Sequence, residues 1–157
     1  MEWYLFLFLL CNEEELFLIP EAAKIFPFLL EDRLREQGAK VAVGLPYLEN
    51  IAVTDGLVTG QNPWSVYATA ETMVEQLGYS LVSRLTTGDE NSVDVLMQYH
   101  LLGKVGARES IDGFVESDAR INRNLLVMHG LLAAMQWRVK SALELLVLAQ
   151  HAKTVYA

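Results

Sequence analysis

The segment Ile51-Ala52-Val53-Thr54-Asp55-Gly56-Leu57-Val58-Thr59 leaves its part of the chain little conformational choice. Two β-prone runs flank an Asp-Gly pair, and that dipeptide tolerates the positive φ angles of a two-residue type I′ turn, so a hairpin is predicted. Gly60-Gln61-Asn62-Pro63-Trp64-Ser65 follows directly. Asn62 is a good N-cap and Pro63 a good first helical residue. The helix they open carries Tyr67, Ala70, Val74 and Leu77 on one stripe and stops at Gly78. Strand, hairpin and amphipathic helix in this order predict an α/β arrangement.

Upstream, Trp3-Tyr4-Leu5-Phe6-Leu7-Phe8-Leu9-Leu10 is the most apolar run in the chain. Unbroken apolar runs are the mark of parallel strands covered on both faces, and about eight residues are far too few to span a bilayer. No basic stretch or small-residue cleavage site accompanies it, so it is not read as a signal peptide. Asn12 with Glu13, Glu14 and Glu15 opens a helix, where negative charge favours the N-terminus. Pro20 and Pro27 are expected at first helical positions, and the helix from Pro27, with Phe28, Leu30 and Leu34 apolar, ends at Gly38. Lys40-Val41-Ala42-Val43 is a short strand candidate.

Past Gly78 the pattern turns helical. Thr87-Gly88-Asp89-Glu90 has the spacing of a capping box, and the helix behind it carries Val93, Leu96, Met97 and His100 before breaking near Gly103. A last helix of roughly 35 residues, about 50 Å long, is expected from around Ser117. Its apolar positions Ile121, Leu125, Met128, Leu132, Met135, Val139, Ala142, Leu146 and Ala149 alternate in steps of four and three. That is the seam of a helix packed lengthwise on another, with Gly130 as the obvious bend.

Composition sets the class. With 157 residues, 52% of them apolar, the chain is long enough for a packed core. Its formal charge of −8 repels nucleic-acid and lipid phosphates, so neither is expected as a partner. A single cysteine, Cys11, leaves no disulfide framework and fits a reducing cytoplasm.

Three signals in order resemble one known family. Pro27-Phe28-Leu29-Leu30-Glu31-Asp32-Arg33-Leu34, then Gly38-Ala39, then Asp55-Gly56-Leu57-Val58-Thr59-Gly60-Gln61-Asn62-Pro63-Trp64-Ser65, preceded by Glu13-Glu14, are similar to the C-terminal part of the ThiJ/PfpI family, the type 1 glutamine amidotransferase-like proteins. The likeness covers about Glu13 to Tyr79, somewhat under half the chain. It implies a partial flavodoxin-like (glutamine amidotransferase-like) layer over residues 1–79, with residues 80–157 as a C-terminal α-helical extension. Family members build activity on a cysteine at a sharp strand-to-helix turn, followed by His and Gly and supported by a glutamate. That elbow precedes the matched part, so the sequence reads as a truncated member, or Met1 as an internal start.

Each candidate for chemistry has a plainer account. Cys11 lies between a strand and a helix start, but Glu13, Glu14 and Glu15 oppose thiolate formation and no glycine permits an elbow. His100, His129 and His151 lack metal-ligand spacing. Glu13-Glu14-Glu15 and Asp89-Glu90 with Asp94 occupy first turns of helices, where dipole stabilisation accounts for them. Trp64, Tyr67 and Trp137 are expected in a core or interface. No catalytic, cofactor-binding or metal residue is therefore assigned, and no cofactor is expected. The expected function is a ThiJ/PfpI-like protein without independent catalysis. The alternatives are a helical self-association or interaction module using the Ile121–Ala149 seam, and a hydrolase or glyoxalase-like enzyme using Cys11.

Overall fold

A computed structural model describes residues 5–8, 10–19, 21–54 and 56–156. The chain divides into two compact units, Met1–Ser83 and Arg84–Ala157. The whole is mixed α/β and mostly helical.

The first unit is built on a small sheet. Strand β1 (Leu5–Phe8) runs parallel to β3 (Leu57–Gly60), and β2 (Ile51–Thr54) pairs antiparallel with β3, giving the order β1-β3-β2. Thr54 pairs with Leu57, so the hairpin closes over two residues, with Gly56 at φ 74° as the turn requires. Short helices α1 (Asn12–Leu18), α2 (Ala22–Ile25) and α3 (Leu30–Glu36) follow β1. A 3₁₀ turn at Pro63–Ser65, capped by the Asn62 side chain, leads into α4 (Val66–Gln76), which packs on β3.

Three expectations in this unit need correction. Pro27 lies between helices: α2 ends at Ile25 and α3 begins at Leu30, while Pro20 falls outside the described residues. Lys40–Val43 is not a strand: it joins no ladder, and the sheet has only β1, β3 and β2 among the described residues. The apolar stripe of α4 faces outward, with Tyr67, Ala70, Val74 and Leu77 all exposed. The packed side carries Ser65 and Thr69, both fully buried, whose small side chains allow a close approach. Asn12 opens α1 as expected, with Cys11 as the N-cap.

The second unit is three helices. Helix α5 (Gly88–Glu116) opens on the expected capping box: Thr87 Oγ1 accepts from Glu90 N at 3.3 Å and Glu90 Oε2 accepts from Thr87 N at 2.7 Å. It breaks at Gly103, whose φ of 73° and ψ of −163° belong to a region that is essentially glycine-only. Helices α6 (Arg123–Met135) and α7 (Val139–Val155) then fold back on one another, and α5 packs on both.

The single long helix is thus overturned, and with it the continuous Ile121–Ala149 seam. Ser117 caps the end of α5, and Asn122 caps the start of α6 by accepting from Asn124 N at 3.0 Å. At the other break Trp137 adopts φ 59°. Trp137 N donates to Ala134 O and Arg138 N to Ala133 O, the two bonds of a Schellman helix end. Of the seam, Leu125, Ala142 and Ala149 are buried, while Met135, Val139 and Leu146 are exposed. Among the described residues, no helix is long and apolar enough to cross a membrane.

Candidate functional site

Polar side chains from three separate sequence motifs meet at the first turn of α1. Glu14 sits at the third position of that helix, completely buried. Its Oε2 accepts from Cys11 N at 3.2 Å, and its Oε1 accepts from the backbone N of Tyr47 and from Asn62 Nδ2 at 2.9 Å. Three N–H donors are what a carboxylate needs to lie in a core. Tyr47 closes the loop: its phenol donates to Glu14 O at 3.2 Å, from a backbone held at φ 60°.

The next pair, Gln61 and Asn62, works as a double clamp. Asn62 Nδ2 also donates to Leu48 O at 2.7 Å, while its Oδ1 caps the 3₁₀ turn by accepting from Trp64 N at 3.1 Å. Gln61 Oε1 accepts from Gly44 N at 2.7 Å and from Asn50 Nδ2 at 3.1 Å. Its Nε2 donates to Leu45 O at 3.3 Å and contacts Cys11 Sγ at 3.7 Å. From α3, Glu31 Oε2 accepts from Asn12 N and Asp32 Oδ1 from Asn12 Nδ2, both at 2.7 Å.

Beside this cluster lies a cavity of about 710 Å³. One sheet face supplies Ala52, Thr54, Leu57 and Thr59, and the unpaired 39–43 segment lies among its walls. Cys11 and Gln61 line it as well. Its size is that of a small-molecule pocket, but the Gln61 carboxamide is already paired at both ends.

The thiol of Cys11 is poorly suited to attack. Burial, reinforced by the negative charge of Glu14, pushes it up from an ordinary value of 9.0 to about 11. The same two causes push the Tyr47 phenol up to about 12. A nucleophilic cysteine needs a lowered pKa and a base within hydrogen-bond reach. None of the three histidines falls within the first unit's sequence. His100 is exposed on α5, His129 is buried in α6, and His151 Nε2 lies 2.6 Å from Asp112 Oδ1. Among the described residues no group of three or more His, Cys, Asp or Glu side chains could hold a metal ion.

Sequence reasoning placed Glu14 among three helix-start charges and missed it as the buried node. The available signal was its spacing: a glutamate three residues after the N-cap is the reciprocal half of a capping box. A cysteine in the cap position hid it. Glu13 is exposed, in keeping with the helix-start account. No family model, curated protein or solved structure matches this chain.

Proposed function

We propose that residues 13–79 form a ThiJ/PfpI-like, type 1 glutamine amidotransferase-like segment that serves as a scaffold in a cytoplasmic protein, without catalysis of its own. One observation carries this reading: the three motifs that resemble the family converge on a single turn. Glu31 and Asp32 of the Pro27–Leu34 motif bond Asn12, Gln61 and Asn62 of the Thr59–Ser65 motif engage Cys11 and Glu14, and Glu14 itself belongs to the Glu13-Glu14 pair. Residues that share one structural task are expected to recur together. The flavodoxin-like layering belongs to the same proposal, supported by the parallel pairing of β1 with β3.

The scaffold role, as opposed to catalysis, follows from the state of Cys11. At neutral pH a buried thiol raised to about 11 is almost wholly protonated and a weak nucleophile. Hydrolase and glyoxalase turnover should be absent from the purified protein, and iodoacetamide should label Cys11 only after denaturation. Turnover that disappears in Cys11→Ala would overturn the reading.

Self-association through the helical unit is a second reading, favoured by the apolar residues that α6 and α7 leave in water.

A further inference from the structure

We infer that the exposed face of the α6–α7 hairpin, centred on its turn, is an interface with a second copy of this chain. The inference rests on the self-association reading and names its surface. Helix α7 is apolar on two sides. Ala142, Leu145, Leu148, Ala149 and Ala152 are buried, whereas Val139, Leu143 and Val147 follow one another at steps of four and are 59%, 60% and 50% exposed. Helices apolar all round are normally buried all round. Helix α6 brings Leu131 and Met135 toward the same turn, 55% and 66% exposed.

At the turn itself Trp137 is 89% exposed and holds the left-handed conformation that glycine usually fills. A bulky residue there is strained and gains nothing from packing within its own unit. Both costs are explained if the indole is an anchor, since Trp is enriched among the residues that dominate binding energy.

Two arguments identify the occupant as another copy. First, area: these six side chains leave on the order of 700 Å² in water, above the usual largest apolar patch of a monomer and near the ~800 Å² per partner of a stable interface. Second, charge: residues 84–157 hold eight acidic and eight basic side chains, so all of the formal −8 lies in residues 1–83. A second copy therefore meets a unit of zero formal charge there, where the first unit would oppose it with −8.

The test is light scattering and sedimentation of the full chain over a wide concentration range. The expected mass is twice 17.6 kDa, falling to the single-chain value in Met135→Glu/Leu143→Glu with an unchanged far-ultraviolet circular dichroism spectrum. Trp137→Gly, which relieves the positive φ of the turn, should dimerise about tenfold more weakly or worse. A wild-type dimer indifferent to all three substitutions overturns this face and leaves self-association standing. A chain that stays monomeric throughout, its face covered from within or left in water, removes both.

Discussion

Between Met1 and Ser83 twelve acidic side chains stand against four basic ones, whereas from Arg84 to Ala157 the two signs balance at eight each. The interiors differ in the same way. The first unit buries Glu14, Gln61, Asn62, Ser65 and Thr69 beside Leu48 and Val58, while the second buries mainly aliphatic residues such as Leu96, Ile111, Leu126 and Leu148. The cause is backbone accounting. Helices satisfy their own N–H and C=O groups, so α5, α6 and α7 need only apolar contact. The loop from Gly38 to Asn50 joins no ladder. Its polar backbone atoms at Gly44, Leu45, Tyr47, Leu48 and Asn50 are paired by side chains of Gln61, Glu14, Asn62 and Ser65, as buried backbone groups must be.

That contrast makes the two units breakable by different substitutions. The largest effect is expected from Glu14→Ala, which strands the N–H groups of Cys11 and Tyr47 and the Asn62 amide together. The loss should be on the order of 4 kcal/mol in the first unit. Hydrogen exchange would show amides of residues 10–62 losing protection while those of α5–α7 keep theirs. Next comes Ile111→Ala, in the fully buried core of the second unit. A cavity there costs about 3 kcal/mol, and urea unfolding should show the reverse distribution. If either substitution loosens both units equally, the difference between their interiors does not separate their responses.

How much of this was legible depends on whether a feature announces itself locally. The hairpin closed by Thr54 and Leu57, the Asn62 cap and the Thr87–Glu90 capping box are short-range chemistry, and each lies where its spacing puts it. Helix ends divide along the same line as the units. Gly38 and Gly78 close α3 and α4 with positive φ, as their residue type suggests. In the second unit the same Schellman bonds are made around Asp118 and Trp137, which carry no such signal. The three-residue turn also preserves the four-and-three spacing from Met135 to Val139, so two helices look like one. Glu14 was obscured for another reason: its partners Tyr47 and Asn62 lie 33 and 48 residues away, beyond any local pattern.

Alkali should sharpen the contrast further. A thiol raised to about 11 in the folded state keeps a proton that the unfolded chain releases near 9. Its contribution is intact below that value and is lost as pH rises toward the folded pKa. Tyr47, raised to about 12, extends the decline. The first unit should therefore lose on the order of 2 kcal/mol between about pH 9 and 11, and Cys11→Ser should flatten that part of the curve. The second unit is expected to respond in acid, and in alkali only above pH 10, where the raised phenols of Tyr99 and Tyr156 come into play. The Arg84 guanidinium holds the Glu90 carboxyl below its ordinary range, so that stabilisation exists above the usual carboxylate pKa and fades as pH falls. A loss of protection in α5–α7 already between pH 9 and 10, below the range in which the raised phenols of Tyr99 and Tyr156 titrate, would contradict the division.

The smallest expected effect carries the opposite sign. Trp137 closes α6 from the left-handed region, at a cost of about 1 kcal/mol that glycine would avoid. Being 89% exposed, the indole has almost no packing within its own chain to lose. Substituting glycine should therefore stabilise the hairpin by about 1 kcal/mol, less whatever glycine's greater freedom in the unfolded chain removes. The measurement belongs in the Met135→Glu/Leu143→Glu background, where association cannot mask it, with thermal unfolding of α6 and α7 as the readout. Asp118→Gly, at the matching end of α5, supplies the control, since Asp tolerates that conformation better than Trp. A larger gain at 137 than at 118 means that the turn is maintained against its own local preference; equal gains would remove the strain argument for the indole.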